Sequence, residues 1–179
     1  MGVTPERTRY SATLRLAHWL TVVAVAAAYL LVELGGDDES DAGPGLALQS
    51  HYLAGLAVLA LLVVRVFGMA RGHPPPIVPA PGRLTRLAAH LTHAALYLFL
   101  LAQPILGILA VNYAGEAVTL PWVHVSLPMV VRANAGAGET VEELHELLGE
   151  IFYWVIGLHV AAALWHHVVK RDNTLRRML

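Results

Sequence analysis

Four stretches of this chain stay apolar for about twenty residues or more, and that feature limits the fold more than any other. They run near 16–34, 46–69, 87–111 and 144–169. A helix needs about 20 residues to cross the hydrocarbon core of a bilayer. The apolar runs are continuous and do not alternate, which fits helices and not the strands of a barrel. Only 14% of the residues are charged, against about 25% in an ordinary soluble domain. That is too little charge to cover a water-facing surface, and it argues against disorder and against nucleic-acid binding. There is no cysteine, so disulfides, thiol catalysis, iron–sulfur clusters and cysteine-based zinc sites are excluded.

The expected fold is an all-α integral membrane four-helix bundle, one domain over 1–179, with lipid as its solvent. The connectors support this division. Residues 35–45 are rich in Gly and Asp, and 70–86 hold Pro74, Pro75, Pro76, Pro79 and Pro81, an extended linker rather than helix. The third connector, 112–141, carries Pro121, Pro128 and several glycines. Charge sorts by side. Arg7, Arg9, Arg15, Arg65, Arg71, Arg83, Arg86, Lys170, Arg171, Arg176 and Arg177 fall on the N-terminal segment, the proline linker with its flanks, and the C-terminal segment. Those segments hold only two acids, Glu6 and Asp172; the other acids lie in the remaining connectors and their flanks, countered only by Arg132. An excess of Lys and Arg beside span ends marks the cytoplasmic side, so both termini are expected in the cytoplasm of a bacterial inner membrane. The alternative for the first span is a cleaved signal peptide with Arg7, Arg9 and Arg15 as its basic region. The apolar run continues through Tyr29–Val32 beyond the alanines, which suits an anchor better.

Ten histidines in so apolar a chain are the feature that function must explain, because an ionisable residue inside a span is a functional candidate by default. His145 and His159 are fourteen residues apart on the fourth span. Helix geometry returns them to within about 40° of one face and separates them by ~21 Å. One helix thus offers an imidazole in each leaflet. His51, on the second span, matches the depth of His145, and His18, on the first, matches that of His159. Two facing pairs, one above the other, suit two planar metal macrocycles with both axial positions filled. Gly55 follows His51 by four residues, and Gly149 follows His145 by four; a glycine one turn from a ligand lets a flat ring approach the backbone. Gly107 and Gly157 are further candidates for that role. For each histidine alone, the competing reading is a hydrogen-bonded packing residue. His90, His93, His166 and His167 lie near the cytoplasmic surface, while His73 and His124 read as loop residues. Trp19, Trp154 and Trp165 read as interfacial or packing residues.

At these positions the sequence resembles the bacterial cytochrome b561 family of four-span membrane cytochromes. The resemblance rests on "HWL" at His18–Leu20, "AHLTH" at Ala89–His93, "LHELLGE" around His145, "VIGLHVAAALWHH" at Val155–His167 and "KRDNTLRRM" at Lys170–Met178. It implies two haem b groups, with His51 and His145 on the outer iron and His18 and His159 on the inner one, the pairs that depth matching gives; His93 in place of His159 is the alternative. It also implies electron exchange with the ubiquinone pool. Arg15, three residues before His18, is placed either to meet a haem propionate or to snorkel to the surface.

The function expected is that of a dihaem electron-transfer protein, an oxidoreductase if the quinone is its substrate. The basic inner face, with Arg86, His90 and His166, is the expected quinone site. Some members of the family resemble a superoxide oxidase, yet the acidic outer face is poorly suited to steer an anion from a distance. Two rivals stand beside this reading. One is an anchor cytochrome relaying electrons from a partner dehydrogenase or hydrogenase. The other is a histidine-based metal or proton transporter, which the lack of acids in the middle of the spans disfavours.

Overall fold

The computed structural model describes residues 8–35, 39–40, 43–122 and 125–179. Asp37, Asp38, Asp41 and His124 lie outside the described residues. Four long helices dominate: α1 (Ala12–Gly35), α2 (Leu46–Ala70), α3 (Arg83–Tyr113) and α4 (Ala135–Trp165), the last continued by a π-helical turn, His166–Lys170. All four are long and apolar enough to cross a membrane. The remaining regular structure among the described residues is a two-residue antiparallel ribbon pairing Glu39–Ser40 with Gly43–Pro44.

Each helix follows from its sequence, with two instructive extensions. α3 begins at Arg83, where Gly82 takes an extended conformation directly after the proline linker. α4 begins at Ala135, nine residues ahead of the apolar run at 144. Asn134 caps it, its side chain accepting a hydrogen bond from the Ala137 amide at 3.2 Å. That polar first section of α4 carries Glu139, Glu142 and Glu143 outside the apolar stretch, so hydropathy alone misses it. The connector before it is tied down by Asn112, 1% exposed. Its Oδ1 accepts from the Val130 amide and its Nδ2 donates to the Glu116 carbonyl, which satisfies both ends of a buried amide.

Along the bundle α1 packs on α2, α2 on α3 and α3 on α4. The apolar core is a layer of Val58, Leu62, Phe99 and Leu100, with Phe152 and Ile156 packed against it. Phe99 and Phe152 stack with ring centres 4.2 Å apart. Outside this layer the helices present large apolar residues outward, among them Leu98, Leu158 and Trp154, as a lipid-facing surface should.

The start of α1 and the C-terminal segment share one end of the bundle. The Tyr10 amide donates to the Arg177 carbonyl at 3.1 Å, and Trp19 Nε1 donates to the Met178 carbonyl at 2.9 Å. Asn173 reaches sideways to the proline linker, with Oδ1 accepting from the Val78 amide at 2.8 Å and Nδ2 donating to the Pro76 carbonyl. The "KRDNTLRRM" tail is therefore a clasp. It folds back through Arg171, whose φ of 52° is left-handed, and ties α1, the linker and the end of α4 together.

Candidate functional site

The histidine pair that the sequence reading assigns to the outer level is assembled by all four helices. His51 of α2 and His145 of α4 face each other with ring centres 6.2 Å apart and planes nearly perpendicular. His51 Nδ1 donates to the Ala28 carbonyl of α1 at 2.9 Å, and His145 Nδ1 donates to the Gln103 carbonyl of α3 at 3.1 Å. With Nδ1 carrying the proton in both rings, each Nε2 is left as a lone-pair donor. A second-sphere carbonyl on the far nitrogen is the usual arrangement for a metal-ligating imidazole. A metal bonded at roughly 2 Å to one nitrogen of each ring would set the ring centres about 6 Å apart. The donor chemistry and the spacing both fit an iron macrocycle held between these two rings.

Sequence reasoning missed Gln103. Its carbonyl orients His145, and its side-chain Nε2 donates back to the His145 carbonyl at 2.7 Å. The neighbouring Pro104 lies inside α3 and has no amide proton, which loosens the helical bonding around it. One turn on, Gly107 makes room for the ring: a Cβ there would stand 3.2 Å from His145 Cε1. Gly55 faces open space, with nothing within 4 Å of an added Cβ, as expected of a residue beside a flat ring. Gly149 serves otherwise. A Cβ there would meet Gln103 Nε2 at 3.4 Å, and its carbonyl accepts from the Tyr29 hydroxyl at 2.7 Å.

The inner level holds three imidazoles. His159 of α4 contacts His93 of α3 edge-to-face, with ring centres 5.4 Å apart. His18 of α1 lies within electrostatic reach of both, and of Arg65. The ring contact thus falls on His93–His159, where sequence matching paired His18 with His159. Among the described residues His18 Nδ1 is buried without a hydrogen-bond partner, an orphaned donor or acceptor of the kind a bound group would satisfy. His93 Nδ1 donates to the Ala89 carbonyl of its own helix. Arg15 donates through Nη1 to the Leu179 carbonyl, while its Nε is buried with no partner among the described residues. Arg15 is thus partly spent on the clasp and partly free to meet an anion.

Of the residues expected at a quinone site, His166 is the one built into structure. Its Nδ1 pairs with the Asp172 carboxylate, which is 6% exposed. Burial alone would raise the Asp172 pKa, but hydrogen bonds from His166 and Thr174 outweigh it and hold the carboxyl below the usual aspartate value. The π-helical turn that carries His166 departs from regular α-helix, a distortion often found at functional sites. Arg86 and His90 stand exposed on the first turns of α3, and no hydrogen bond or ion pair joins them to His166 among the described residues.

The whole described bundle matches one known family. Residues 9–179 match the family described as prokaryotic cytochrome b561. A "probable superoxide oxidase CybB" of Yersinia pestis is 37% identical over 164 residues, covering 90% of each chain. "Cytochrome b561 homolog 1" of Escherichia coli is 36% identical over 172 residues, covering 96% of this chain and 97% of that one. "Cytochrome b561 homolog 2" of the same organism is 32% identical over 179 residues.

Proposed function

We propose, from the premise that this chain belongs to the prokaryotic cytochrome b561 family, that it is a dihaem electron-transfer protein of the bacterial inner membrane that reduces ubiquinone. Membership implies haem b. The observation that carries the dihaem reading is the facing pair His51 and His145, each with its Nδ1 proton given to a backbone carbonyl of a neighbouring helix. Those two would hold the outer haem, and His18 and His159 the inner one. Held by these histidines, the haem groups would supply one-electron exchange.

The chain's own residues do the rest. The Ala28 and Gln103 carbonyls fix ring orientation at the outer level. The buried apolar layer of Val58, Leu62, Phe99 and Leu100 falls between the two levels along α2 and α3, where it would keep water from the space between them. The end of the bundle that gathers the start of α1 and the C-terminal segment also gathers Arg71, Arg83, Arg86, Lys170 and Arg171, which supports a cytoplasmic placement of the termini. Quinone reduction takes up protons with electrons. His166, held at Nδ1 by Asp172, is positioned to hold and pass a proton at that face. Arg86 and His90 offer donors for an incoming quinone oxygen. The outer electron donor is superoxide in this reading, as the name of the Yersinia relative supports; giving up one electron leaves dioxygen.

The test is a redox-titrated optical spectrum of the purified protein with haem counted per chain. Two haems with a narrow reduced alpha band are expected, and one haem per chain would refute the reading. Superoxide supplied as a pulse should reduce both haems. If it reduces neither, while a co-purifying dehydrogenase does, the protein is an anchor cytochrome instead.

A further inference from the structure

On α4 the two expected ligands, His145 and His159, are separated by fourteen residues. α2 crosses the bundle in the same direction as α4, and contact between His51 and His145 sets the register between the two helices. The same interval counted from His51 along α2 ends at Arg65. Helix geometry puts Arg65 within about 40° of the His51 face and ~21 Å further along. Arg65 therefore takes, on α2, the position that an inner ligand takes on α4. The inner level is then drawn from all four helices: His18, Arg65, His93 and His159.

The surroundings of Arg65 are those of a retained charge. Its guanidinium lies over the Tyr97 ring at 5.0 Å from the centroid, and Tyr97 in turn donates its hydroxyl to Met69 Sδ at 2.9 Å. The residue is half-buried. Among the described residues no carboxylate pairs with it; the one ion pair there joins His166 and Asp172. Its charge reaches both His18 and His159. An unpaired cation inside a spanning helix is costly in hydrocarbon and is kept where it acts. A fixed positive charge in a low-dielectric interior acts over distances that water would screen.

We propose that Arg65 is the positioning charge of the inner haem site, raising that site's affinity for the electron relative to the outer site and so biasing transfer inward. The proposal rests on the dihaem reading above. A positive charge beside the inner ligands disfavours the more positive, oxidised state of whatever iron they hold, and the outer level has no matching cation among the described residues of its helices.

The experiment is a potentiometric titration of the purified holoprotein, with haem counted, for wild type, Arg65→Gln and Arg65→Lys. Wild type should titrate as two components. In Arg65→Gln one component should fall by about 60 mV or more, a tenfold change in a one-electron equilibrium, while the other stays in place and haem content is kept. Arg65→Lys should recover at least half of that fall. Two unmoved components in a fully loaded Arg65→Gln protein would overturn the proposal. If the Gln variant drops one haem but the Lys variant keeps both at wild-type potentials, the requirement for charge stands; if the Lys variant drops it too, the guanidinium acts by shape and the proposal fails. A wild-type protein that titrates with one haem fails earlier, and that failure belongs to the dihaem reading.

Discussion

The two histidine levels are built on different principles. At the outer level each ring is oriented from outside by a carbonyl on another helix, Ala28 for His51 and Gln103 for His145. At the inner level the polypeptide supplies more imidazoles and less orientation. His93 is tied to its own helix through Ala89, His159 meets His93 by ring contact, and His18 Nδ1 has no hydrogen-bond partner among the described residues. The outer site is thus preorganised by second-sphere bonds, which set both tautomer and ring angle. The inner site has a surplus ring and a nearby cation, so its final geometry depends on the group that binds there. Tightness of metal hold should follow the first pattern, and tuning of redox properties the second.

Ligand deletion tests this contrast with the largest effect. Replacing both His145 and His159 by alanine should abolish haem binding, because in the proposed dihaem arrangement α4 would supply a ligand to each level. His51→Ala or His145→Ala alone should halve the haem per chain, and so should His18→Ala or His159→Ala. His93→Ala should leave haem content at the wild-type value; halved haem there, with His18→Ala or His159→Ala fully loaded, would make His93 an axial residue in place of that histidine. Haem per chain in purified protein decides every case. A smaller effect is expected at Gly107. The Cβ of an alanine there would already crowd His145 at 3.2 Å, and Gly107→Val adds bulk that cannot fold away on a helix. The outer haem should be lost or only partly bound while the inner one stays. An equal loss from both levels would mean general misfolding rather than displacement of one ring.

Much of this was legible in the sequence, and the parts that were not share a cause. Apolar run length located all four helices, and depth matching named His51 and His145, the two rings that face each other; for His159 it named His18, whereas the ring contact falls on His93. The roles of Ala28 and Gln103 left no trace because they act through backbone carbonyls, which every residue owns. The start of α4 at Ala135 was hidden because its first turns are polar and lie outside the apolar stretch; only Asn134, a capping residue type, signals it. The contact of His93 with His159 depends on the rotation of α3 about its own axis, which depth along the membrane normal does not specify. Arg65 was visible all along, since the His51 interval repeats the His145 interval, but a basic residue near a span end is easily counted as a topology marker.

The clasp at the other end of the bundle gives a milder comparison, between His166, which is anchored by a carboxylate, and the membrane histidines, which are anchored by carbonyls or by nothing. Asp172→Asn keeps the shape of the anchor and removes its charge. A hydrogen bond to a charged group is worth about 1.5 kcal/mol or more, so quinone reduction should slow roughly tenfold, with haem content unchanged and with the loss recovered by Asp172→Glu if the carboxylate can still reach. Steady-state kinetics with a soluble ubiquinone analogue reads this directly.

The same pair sets a pH signature on the tail. Against the cost of burial, hydrogen bonds from His166 and Thr174 hold the Asp172 carboxyl below its usual range. A group whose folded pKa is depressed contributes stability that is complete above the unfolded value and is lost as pH falls through the folded one. Protection of the 172–178 amides against hydrogen exchange should therefore stay level through mildly acid pH and fall only below the ordinary aspartate range near 3.8. Asp172→Asn should flatten that acid limb and lower protection at every pH above it. An acid limb that survives in Asp172→Asn would mean that another group titrating in that range, and not the His166–Asp172 pair, sets the pH dependence of the tail.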